Sequence, residues 1–328
     1  MEKTRLKGGS LSGTYLCRRP SGELFVRKEA SLTIHREYGF QRWYSQLKRL
    51  QRYGELFPGV FPKLISYGKQ ENFAYFDIEY IPDSVTAHNF LLQNSNRSKI
   101  DALFSELVSV MDLMHKVRIP SNPEAIDLYI YEEMEQKFQA CLNNRRFQEL
   151  ISERDVVFNG KTVKGLYWVL DEFKKMSRKV YQQPTETFTH GNLTLENILY
   201  QPKDNRIIFV DPYEENVIDS ALAEYSQILQ SSNSLYEIYN DSSSAKIFGN
   251  EVEMVVSIPF GLKYFDQKFN AFLKDRCSVQ DLNMVRLLEI SQYVRMLPFK
   301  MEIDEDKMVF FYVLGSHLFD NLKQDWSV

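Results

Sequence analysis

A histidine, a glycine and an asparagine precede two short apolar runs and an aspartate at fixed spacings in the second half of this chain. The run begins with THGNLTLENIL at 189–199, passes a turn at Pro202–Arg206 and ends with the apolar Ile207–Val210 and Asp211. Two apolar runs separated by such a turn predict a β-hairpin. Asn197 and Asp211, fourteen residues apart, therefore stand at the two ends of one hairpin, where oxygen-bearing side chains can share a divalent cation.

This spacing matches the kinase pattern of a catalytic loop, H-x-D-x-x-x-x-N, followed by a metal-binding aspartate. Phosphoryl transfer needs little covalent help from the protein, but the reacting oxygens must be aligned and the phosphate charge neutralised. We expect Asn197 and Asp211 to bind Mg²⁺ and position 192 to face the attacking hydroxyl. Position 192 is Asn192, where the pattern has the catalytic aspartate.

The segment resembles the aminoglycoside phosphotransferase and choline kinase superfamily, whose loop reads H-G-D-x-x-x-x-N where protein kinases read H-R-D. Gly191 favours that branch. The resemblance covers residues 5 to 230 of the chain, and the members most similar in look are phosphotransferase-like proteins of bacterial surface-polysaccharide gene clusters. It implies an α+β, two-lobed protein-kinase-like fold, with a small antiparallel-sheet N-lobe carrying one helix and a larger, mostly helical C-lobe. It also implies ATP and Mg²⁺ as cofactors, and it makes His190 a support of the loop and not a base.

Other parts of the chain match the superfamily in the same order. The stretch Lys7–Gly13 looks like the phosphate-covering loop, with Gly8, Gly9, Ser10 and Gly13 as its nucleotide-contacting residues. Lys28 resembles the lysine that pairs with the α- and β-phosphates, and Glu37 resembles its ion-pair partner in the next helix. The stretch that resembles the adenine-binding hinge comprises Glu79, Tyr80 and Ile81.

Each of these residues also has an ordinary structural interpretation. Glycines near an N-terminus usually mark a turn, and Glu37 could equally be a solvated helix residue. Arg27 competes with Lys28 for the phosphate role, because neighbouring residues of a strand point to opposite faces. We prefer Lys28, since a compact ammonium group suits contact with a phosphate. Asp211 could simply end a strand.

Asn192 has three explanations. An amide can orient a hydroxyl group but cannot accept its proton, so general-base catalysis is lost at this position. The asparagine could have replaced a natural aspartate in order to trap a substrate complex, or the chain could be a natural pseudoenzyme that binds nucleotide without turnover. Alternatively, the enzyme works slowly through positioning and Mg²⁺. Because Asn197 and Asp211 are both kept, we favour an active parent protein.

The pattern of apolar residues predicts how the chain is organised. The first 85 residues are expected to be β-rich with one inserted helix at Leu32–Leu50, and helices are expected to dominate from residue 100 onward. Val163–Val180 is predicted to be a helix and Ser231–Ser244 a surface loop. A hinge near Pro82–Thr86 would separate an N-terminal nucleotide-binding lobe, residues 1–82, from a C-terminal helical lobe, residues 83–328, which carries the catalytic loop, the metal site and the acceptor site.

Composition and charge exclude several classes of protein. The net charge is −4 and the basic residues are scattered among acidic ones, whereas a nucleic-acid-binding protein usually presents a basic face. Three well-separated cysteines indicate neither a disulfide framework nor a zinc site. The N-terminus lacks a signal-peptide pattern, and the longest apolar stretch is too short to span a membrane. We expect a cytoplasmic protein without a membrane span or a nucleic-acid partner, and its oligomeric state stays open.

Together these features predict an ATP-dependent kinase that phosphorylates a hydroxyl group of a small molecule, with a sugar or polysaccharide precursor as the suggested acceptor. Two alternatives remain. One is a catalytically inactive, nucleotide-binding pseudokinase or scaffold, which Asn192 would explain. The other is a kinase-fold nucleotidyltransferase, which would transfer AMP in place of phosphate. A protein kinase is disfavoured, because no activation-loop signature follows Asp211.

Overall fold

A computed structural model describes residues 2–6, 12–33, 36–120, 122–182, 185–213, 216–242 and 244–326 of the 328 residues. The elements of the first 114 residues are, in order, β1 (Glu2–Arg5), β2 (Ser12–Arg18), β3 (Leu24–Ser31), α1 (Arg36–Leu56), β4 (Leu64–Lys69), β5 (Phe73–Glu79), β6 (Val85–Thr86), α2 (Ala87–Gln93) and α3 (Arg97–Met114).

The rest of the chain is mostly helical. It continues with α4 (Ala125–Ile130), a π-helical turn (Tyr131–Glu135), α5 (Gln136–Cys141), α6 (Arg145–Ser152), β7 (Asp155–Phe158), β8 (Lys161–Lys164), a 3₁₀ turn (Leu166–Val169), α7 (Leu170–Val180), a 3₁₀ turn (Leu195–Asn197), β9 (Ile198–Gln201), β10 (Arg206–Phe209), α8 (Ala221–Ser232), α9 (Tyr236–Asp241), β11 (Lys246–Phe248), β12 (Glu251–Glu253), α10 (Phe260–Arg276), α11 (Val279–Arg295), α12 (Leu297–Ile303) and α13 (Glu305–Gln324).

The chain divides into two compact units. The first comprises residues 1–90, 98–114 and 190–216, and the second comprises residues 91–97, 115–189 and 217–328. The first unit thus combines the N-terminal sheet with the hairpin β9–β10. The boundary between residues 82 and 83 stays a prediction.

The N-terminal sheet of the first unit has five strands in the order β1-β2-β3-β5-β4, and every neighbouring pair is antiparallel. Helix α1 covers it with an apolar face in which Trp43, Leu47 and Leu50 recur at helical spacing and are buried. The Trp43 ring stacks on Phe76 of β5 with centroids 6.3 Å apart. This packing seats α1 against the middle of the sheet, beside Lys28 of β3, which pairs with Phe76 across the strands.

The predicted hairpin forms in the first unit. Strands β9 and β10 pair antiparallel, with Ile198 opposite Phe209, and β6 adds a third strand on the other side of β9. Phe209 also donates its backbone N–H to the carbonyl of Val60 at 2.8 Å. The hairpin is therefore fixed by backbone hydrogen bonds to β6 and to the segment after α1.

The second unit has a helical core beside a small sheet of order β11-β12-β7-β8. The core includes fully buried aromatic rings from α11 and α13, among them Tyr293 and Phe311, whose centroids lie 5.7 Å apart. Within the described part of the chain, we find no helix with the length and apolar character needed to cross a membrane.

Two predictions about local structure were wrong. Val163 and Lys164 belong to β8 and not to a helix, and α7 begins only at Leu170. The preceding turn is formed by Asn159 and Gly160, with φ values of 49° and 78°, the left-handed conformation that Asn-Gly adopts in tight hairpins. This dipeptide was the signal that the prediction of a helix overlooked.

The serine-rich stretch Ser231–Ser244 was predicted to be a surface loop, but it contains the end of α8 and the whole of α9. Ser231 and Ser232 at its start are buried, and hydrogen bonds inside the unit satisfy their hydroxyl groups. Ser231 Oγ donates to Glu237 Oε1 at 2.6 Å, and Ser232 Oγ donates to Asp266 Oδ1 at 2.9 Å. Polar composition therefore did not indicate exposure here, since each hydroxyl has an internal acceptor.

Candidate active site

The ring of His190 is completely buried and is held by hydrogen bonds at both nitrogens. Nε2 donates to the backbone carbonyl of Val210 at 2.7 Å, and Nδ1 accepts from the backbone N–H of Asn192 at 3.3 Å. Because Nδ1 must accept, the partners assign the neutral tautomer protonated on Nε2. The ring also stacks on Phe61, with centroids 6.2 Å apart. The ring thereby connects Asn192 in the loop to Val210 after β10 and fixes the position of the loop.

Gly191 adopts a backbone conformation that other residues rarely take, with φ at +84°. A Cβ atom at this position would lie 2.1 Å from the carbonyl oxygen of Tyr213 and 2.6 Å from Nη1 of Arg49. Conformation and space therefore both require glycine. This close approach brings the loop after His190 against the segment that follows Asp211.

Asn197 is tied to the loop and to the hairpin. Its Nδ2 donates to the backbone carbonyl of Asn192 at 2.7 Å. The amide oxygen Oδ1 is the acceptor of the group, and it has no hydrogen-bond donor among the described residues. The backbone carbonyl of Asn197 accepts from the N–H of Val210 at 2.9 Å. Asp211 follows Val210 directly, so the ladder brings the two candidate metal ligands into neighbouring backbone positions.

Asp211 leaves the strand in a left-handed conformation, with φ at 58°. Its Oδ1 lies 2.6 Å from the Nζ of Lys28 on β3. Burial alone would raise the pKa of the Asp211 carboxyl, but the charge and hydrogen bond of Lys28, with a smaller contribution from the charge of Arg42, lower that pKa below its ordinary value. The group is therefore a carboxylate at neutral pH, as metal binding requires.

The side chains of Arg27 and Lys28 lie on opposite faces of the sheet, as those of neighbouring strand residues do. The guanidinium of Arg27 binds Asp77 of β5 in a bidentate pair, with distances of 2.7 and 2.8 Å, and Ser66 also donates to Asp77, at 2.7 Å. Arg27 also lies over the ring of Tyr75. Arg27 is thus committed to the sheet, and Lys28 is the basic residue of this pair that reaches Asp211.

Two basic residues of α1 were missed by the sequence analysis. Arg49 is buried, and its Nη1 donates to the backbone carbonyls of Tyr213 and of His190, the latter at 3.2 Å. Arg42 lies over the ring of Tyr213 at 5.4 Å and lowers the pKa of Asp211. Arg49 stands four residues before the buried Tyr53, on the packed side of α1, but nothing in the sequence indicates which backbone carbonyls it reaches.

Several residues proposed for the nucleotide are only partly described. Gly8, Gly9 and Ser10 lie outside the described residues. Gly13 lies in β2, where an added Cβ would come within 2.6 Å of the end of the Tyr15 ring, so the Tyr15 side chain would have to move. Glu37 lies in α1, and its pairing with Lys28 stays a prediction.

The hinge residues carry backbone hydrogen bonds of their own. The N–H of Glu79 donates to the carbonyl of Lys63 at 2.9 Å, and the carbonyl of Ile81 accepts from the hydroxyl of Ser84 at 2.8 Å. Tyr80 lies between them and is half-buried. Any adenine contact from this stretch would have to use its remaining backbone groups, so the adenine role stays a prediction.

The side chain of Asn192 is half-buried. Its backbone N–H and carbonyl are engaged by His190 and Asn197, whereas its side-chain amide makes no hydrogen bond to any residue in the described ranges. Position 192 thus has a fixed backbone and an uncommitted polar group. An amide there can orient an incoming hydroxyl group but cannot take up its proton.

The residues present fit Mg²⁺ only in combination with an anionic ligand. Among the described residues, no three His, Cys, Asp or Glu side chains come together as a metal site. One carboxylate and one amide oxygen, from Asp211 and Asn197, form an incomplete set of hard oxygen ligands. Mg²⁺ usually completes such a set with water and substrate phosphates.

Comparison with solved structures identifies the fold. No family model matches the chain, and no curated protein matches its sequence. A crystal structure from Haemophilus somnus 129PT, designated a fructosamine-3-kinase, matches over 97% of this chain and 91% of its own, with a TM-score of 0.59 and 10% identity. This chain has a protein-kinase-like fold. The two-lobed α+β prediction is thereby confirmed.

Other kinase-like structures match less well. An aminoglycoside-3'-phosphotransferase of type VIII matches over 88% of this chain and 92% of its own at 15% identity, with a TM-score of 0.49. At these identities the comparisons show the fold alone. Within the kinase-like fold, His190 donates to the backbone of Val210 and Asn197 donates to the backbone of Asn192. Asp211 follows Val210 and pairs with Lys28 of the sheet.

Proposed function

We propose that this protein is an ATP-dependent phosphotransferase that phosphorylates a hydroxyl group of a small molecule. The observation that carries the proposal is the ion pair between Lys28 and Asp211, next to the hydrogen bond of Asn197 to the catalytic loop. A cation, a carboxylate and an amide oxygen are the groups that hold a metal-bound triphosphate. The kinase-like fold supports this assignment.

Each residue then has a defined task. Asp211 and Oδ1 of Asn197 would hold Mg²⁺, and the Lys28 ammonium would exchange its contact with Asp211 for one with the phosphates. Bound Mg²⁺ and ATP would supply the transferable γ-phosphoryl group and neutralise its charge. His190 and Arg49 keep the loop and the Asp211 segment in place through backbone hydrogen bonds.

The acceptor is proposed to be a sugar or a sugar-containing molecule. The solved structure with the TM-score of 0.59 is designated a kinase of fructosamine, a modified sugar. A hydroxyl group facing position 192 would be oriented by the amide of Asn192. Because an amide cannot remove the hydroxyl proton, turnover by this chain should be slow.

Asn192 also favours a second candidate function, a nucleotide-binding pseudokinase. Both candidates require nucleotide binding, so they differ only in turnover. The variant Asn192→Asp restores a carboxylate at the position where kinases carry one. If the protein is a phosphotransferase, this variant should consume ATP about 10²–10⁴ times faster than the chain with Asn192.

The test is a screen of both proteins with Mg²⁺, ATP labelled at the γ- or α-phosphate, and a panel of sugars, amino alcohols and aminoglycosides. Transfer of the γ-label to an acceptor supports the kinase, and transfer of the α-label would instead show a nucleotidyltransferase. The double variant Asn192→Asp/Asn197→Ala is the matched control and should lose the gain. An Asn192→Asp protein that binds ATP but labels none of these acceptors would favour the pseudokinase.

A further inference from the structure

A cavity of about 790 Å³ opens in the first unit, beside the candidate active site but separate from its polar groups. Its walls are the C-terminal half of α1, the segment from residue 58 to 64, the end of β5 and the start of β10. Of the residues proposed for nucleotide or metal binding, Glu79 alone lines it. The Glu79 carboxylate accepts from the backbone N–H of Lys63 at 3.3 Å, so this side chain is part of the cavity wall.

The charge of this lining contrasts with that of the whole chain. Four cationic residues line the cavity, namely Lys48, Arg52, Lys63 and Arg206, against two carboxylates, Glu55 and Glu79. The chain as a whole has a net charge of −4. A concave surface concentrates the field of the charges around it, so this cavity is a positively charged recess in an acidic protein.

The charges of three of these cations are not balanced by a carboxylate of the described residues. In the ranges that the structure describes, no carboxylate lies within ion-pair distance of Lys48, Lys63 or Arg206. Lys48 and Arg52 also stand four residues apart on α1, a spacing at which like charges on a helix repel each other. A bound anion would weaken this repulsion and provide a counter-charge for Lys48.

The floor of the cavity connects it to the catalytic loop. Phe61 lines the cavity and stacks on His190, with the two rings inclined by only 3°. The neighbouring carbonyl of Val60 accepts from the N–H of Phe209. Arg206 also donates to the carbonyl of Gly59 at 3.2 Å. A ligand held by these cations would therefore rest on the segment that supports His190.

We propose that this cavity binds a small molecule carrying several negative charges in phosphate groups, and that its occupancy stiffens the segment supporting His190. Guanidinium and ammonium groups are the usual ligands of phosphate, and the apolar floor formed by Leu50, Phe61 and Leu64 can accept the body of such a molecule. The proposal concerns a site distinct from Lys28 and Asp211. It does not depend on the phosphotransferase activity.

Titration calorimetry with tripolyphosphate, in the absence of Mg²⁺, tests the site. The double variant Lys48→Glu/Lys63→Glu should weaken binding at least about tenfold, because two attractive charges become repulsive. Lys28→Ala removes the proposed phosphate contact of the active site, and Lys246→Glu reverses an exposed charge in the second unit. Both controls should keep the cavity's affinity within about twofold. Thermal unfolding checks that all variants fold.

The results separate the two sites. If wild-type protein binds no tripolyphosphate, or if Lys28→Ala abolishes binding while the double variant keeps it, the cavity is not an anion site. Amide hydrogen exchange gives the second readout. Tripolyphosphate should slow exchange in residues 190–197 of the wild type and of Lys28→Ala but not of the double variant. Unchanged exchange despite binding at the cavity would overturn the proposed effect on the loop.

Discussion

Lys28 and Asp211 stand 183 residues apart in the chain, yet the ammonium of one lies 2.6 Å from the carboxylate of the other. The lysine side chain is almost fully buried, whereas about a third of the aspartate side chain is exposed, at 7% and 36%. The buried lysine is thus held by a partner that keeps one side open to solvent. Such a pair can take up a ligand at its open side without unfolding the strand that carries the lysine.

Substitutions at Lys28 and Arg27, which are neighbours in β3, should have different effects. One should weaken ATP binding and the other should lower the stability of the fold. Lys28→Met should weaken ATP binding at least about tenfold, because a charge-assisted contact with phosphate is lost. Arg27→Met should leave ATP affinity nearly unchanged but lower the free energy of unfolding by about 3 kcal/mol, since it strands the buried carboxylate of Asp77. Calorimetry and urea denaturation measure the two effects. Equal loss of ATP affinity in both variants would contradict the assignment of Lys28.

The Lys28–Asp211 pair should contribute to stability in a pH-dependent way. The pKa of Asp211 is lower in the folded protein than its ordinary value of 3.8. A lowered pKa means that the carboxylate stabilises the fold above the unfolded pKa, and that this contribution is lost as the pH falls through the folded pKa. We expect the stability difference between wild type and Asp211→Asn to be constant from about pH 5 to 7 and to shrink below about pH 4. Urea denaturation across this range measures it, and a difference that grows on acidification would have the wrong sign.

Gly191 and Gly160 allow the cost of a steric clash to be separated from the cost of a strained backbone conformation. Both have positive φ, at +84° and +78°, but a Cβ on Gly160 would meet nothing within 4 Å. Gly160→Ala should therefore cost only the conformational strain, about 1–2 kcal/mol. Gly191→Ala must also displace Tyr213 and Arg49, so its loss of unfolding free energy should be larger by at least about 2 kcal/mol. Similar losses for both variants in urea denaturation would show that the contact at Gly191 relaxes easily.

Arg49 should act as a positioning residue of the loop. Arg49→Met removes hydrogen bonds to two backbone carbonyls and should lower the free energy of unfolding by about 2–4 kcal/mol. In the Asn192→Asp background it should also lower kcat more than it raises the KM for ATP, because alignment is lost and the proposed phosphate contact of Lys28 remains.

Arg49→Lys and Arg145→Met serve as controls for this prediction. Lysine keeps one donor and should recover part of kcat, whereas the Arg145 side chain is 92% exposed and its loss should change neither quantity. An Arg49→Met protein with reduced stability but unaltered kcat would assign the residue a role in folding alone.

The hairpin and its flanking residues could be predicted from the sequence because they depend on local order. Two apolar runs and a turn specify β9 and β10, and their antiparallel register brings Asn197 next to Val210. Arg49 and Asp77 could not be found in this way. Their partners lie 141 and 50 residues away, respectively, and no local spacing encodes such contacts.

The sequence alone was sufficient to indicate the loop from His190 to Asn197 and the metal-binding candidate at Asp211, because both belong to motifs of residues close together in the chain. The resemblance of these motifs to a known superfamily implied the kinase-like fold. Only the folded chain decided which basic residue reaches Asp211, which arginine braces the loop and where a positively charged cavity forms. Those outcomes depend on the burial of side chains from distant segments. Packing of α1 against the sheet, and not any short motif, brings Arg49 to the loop.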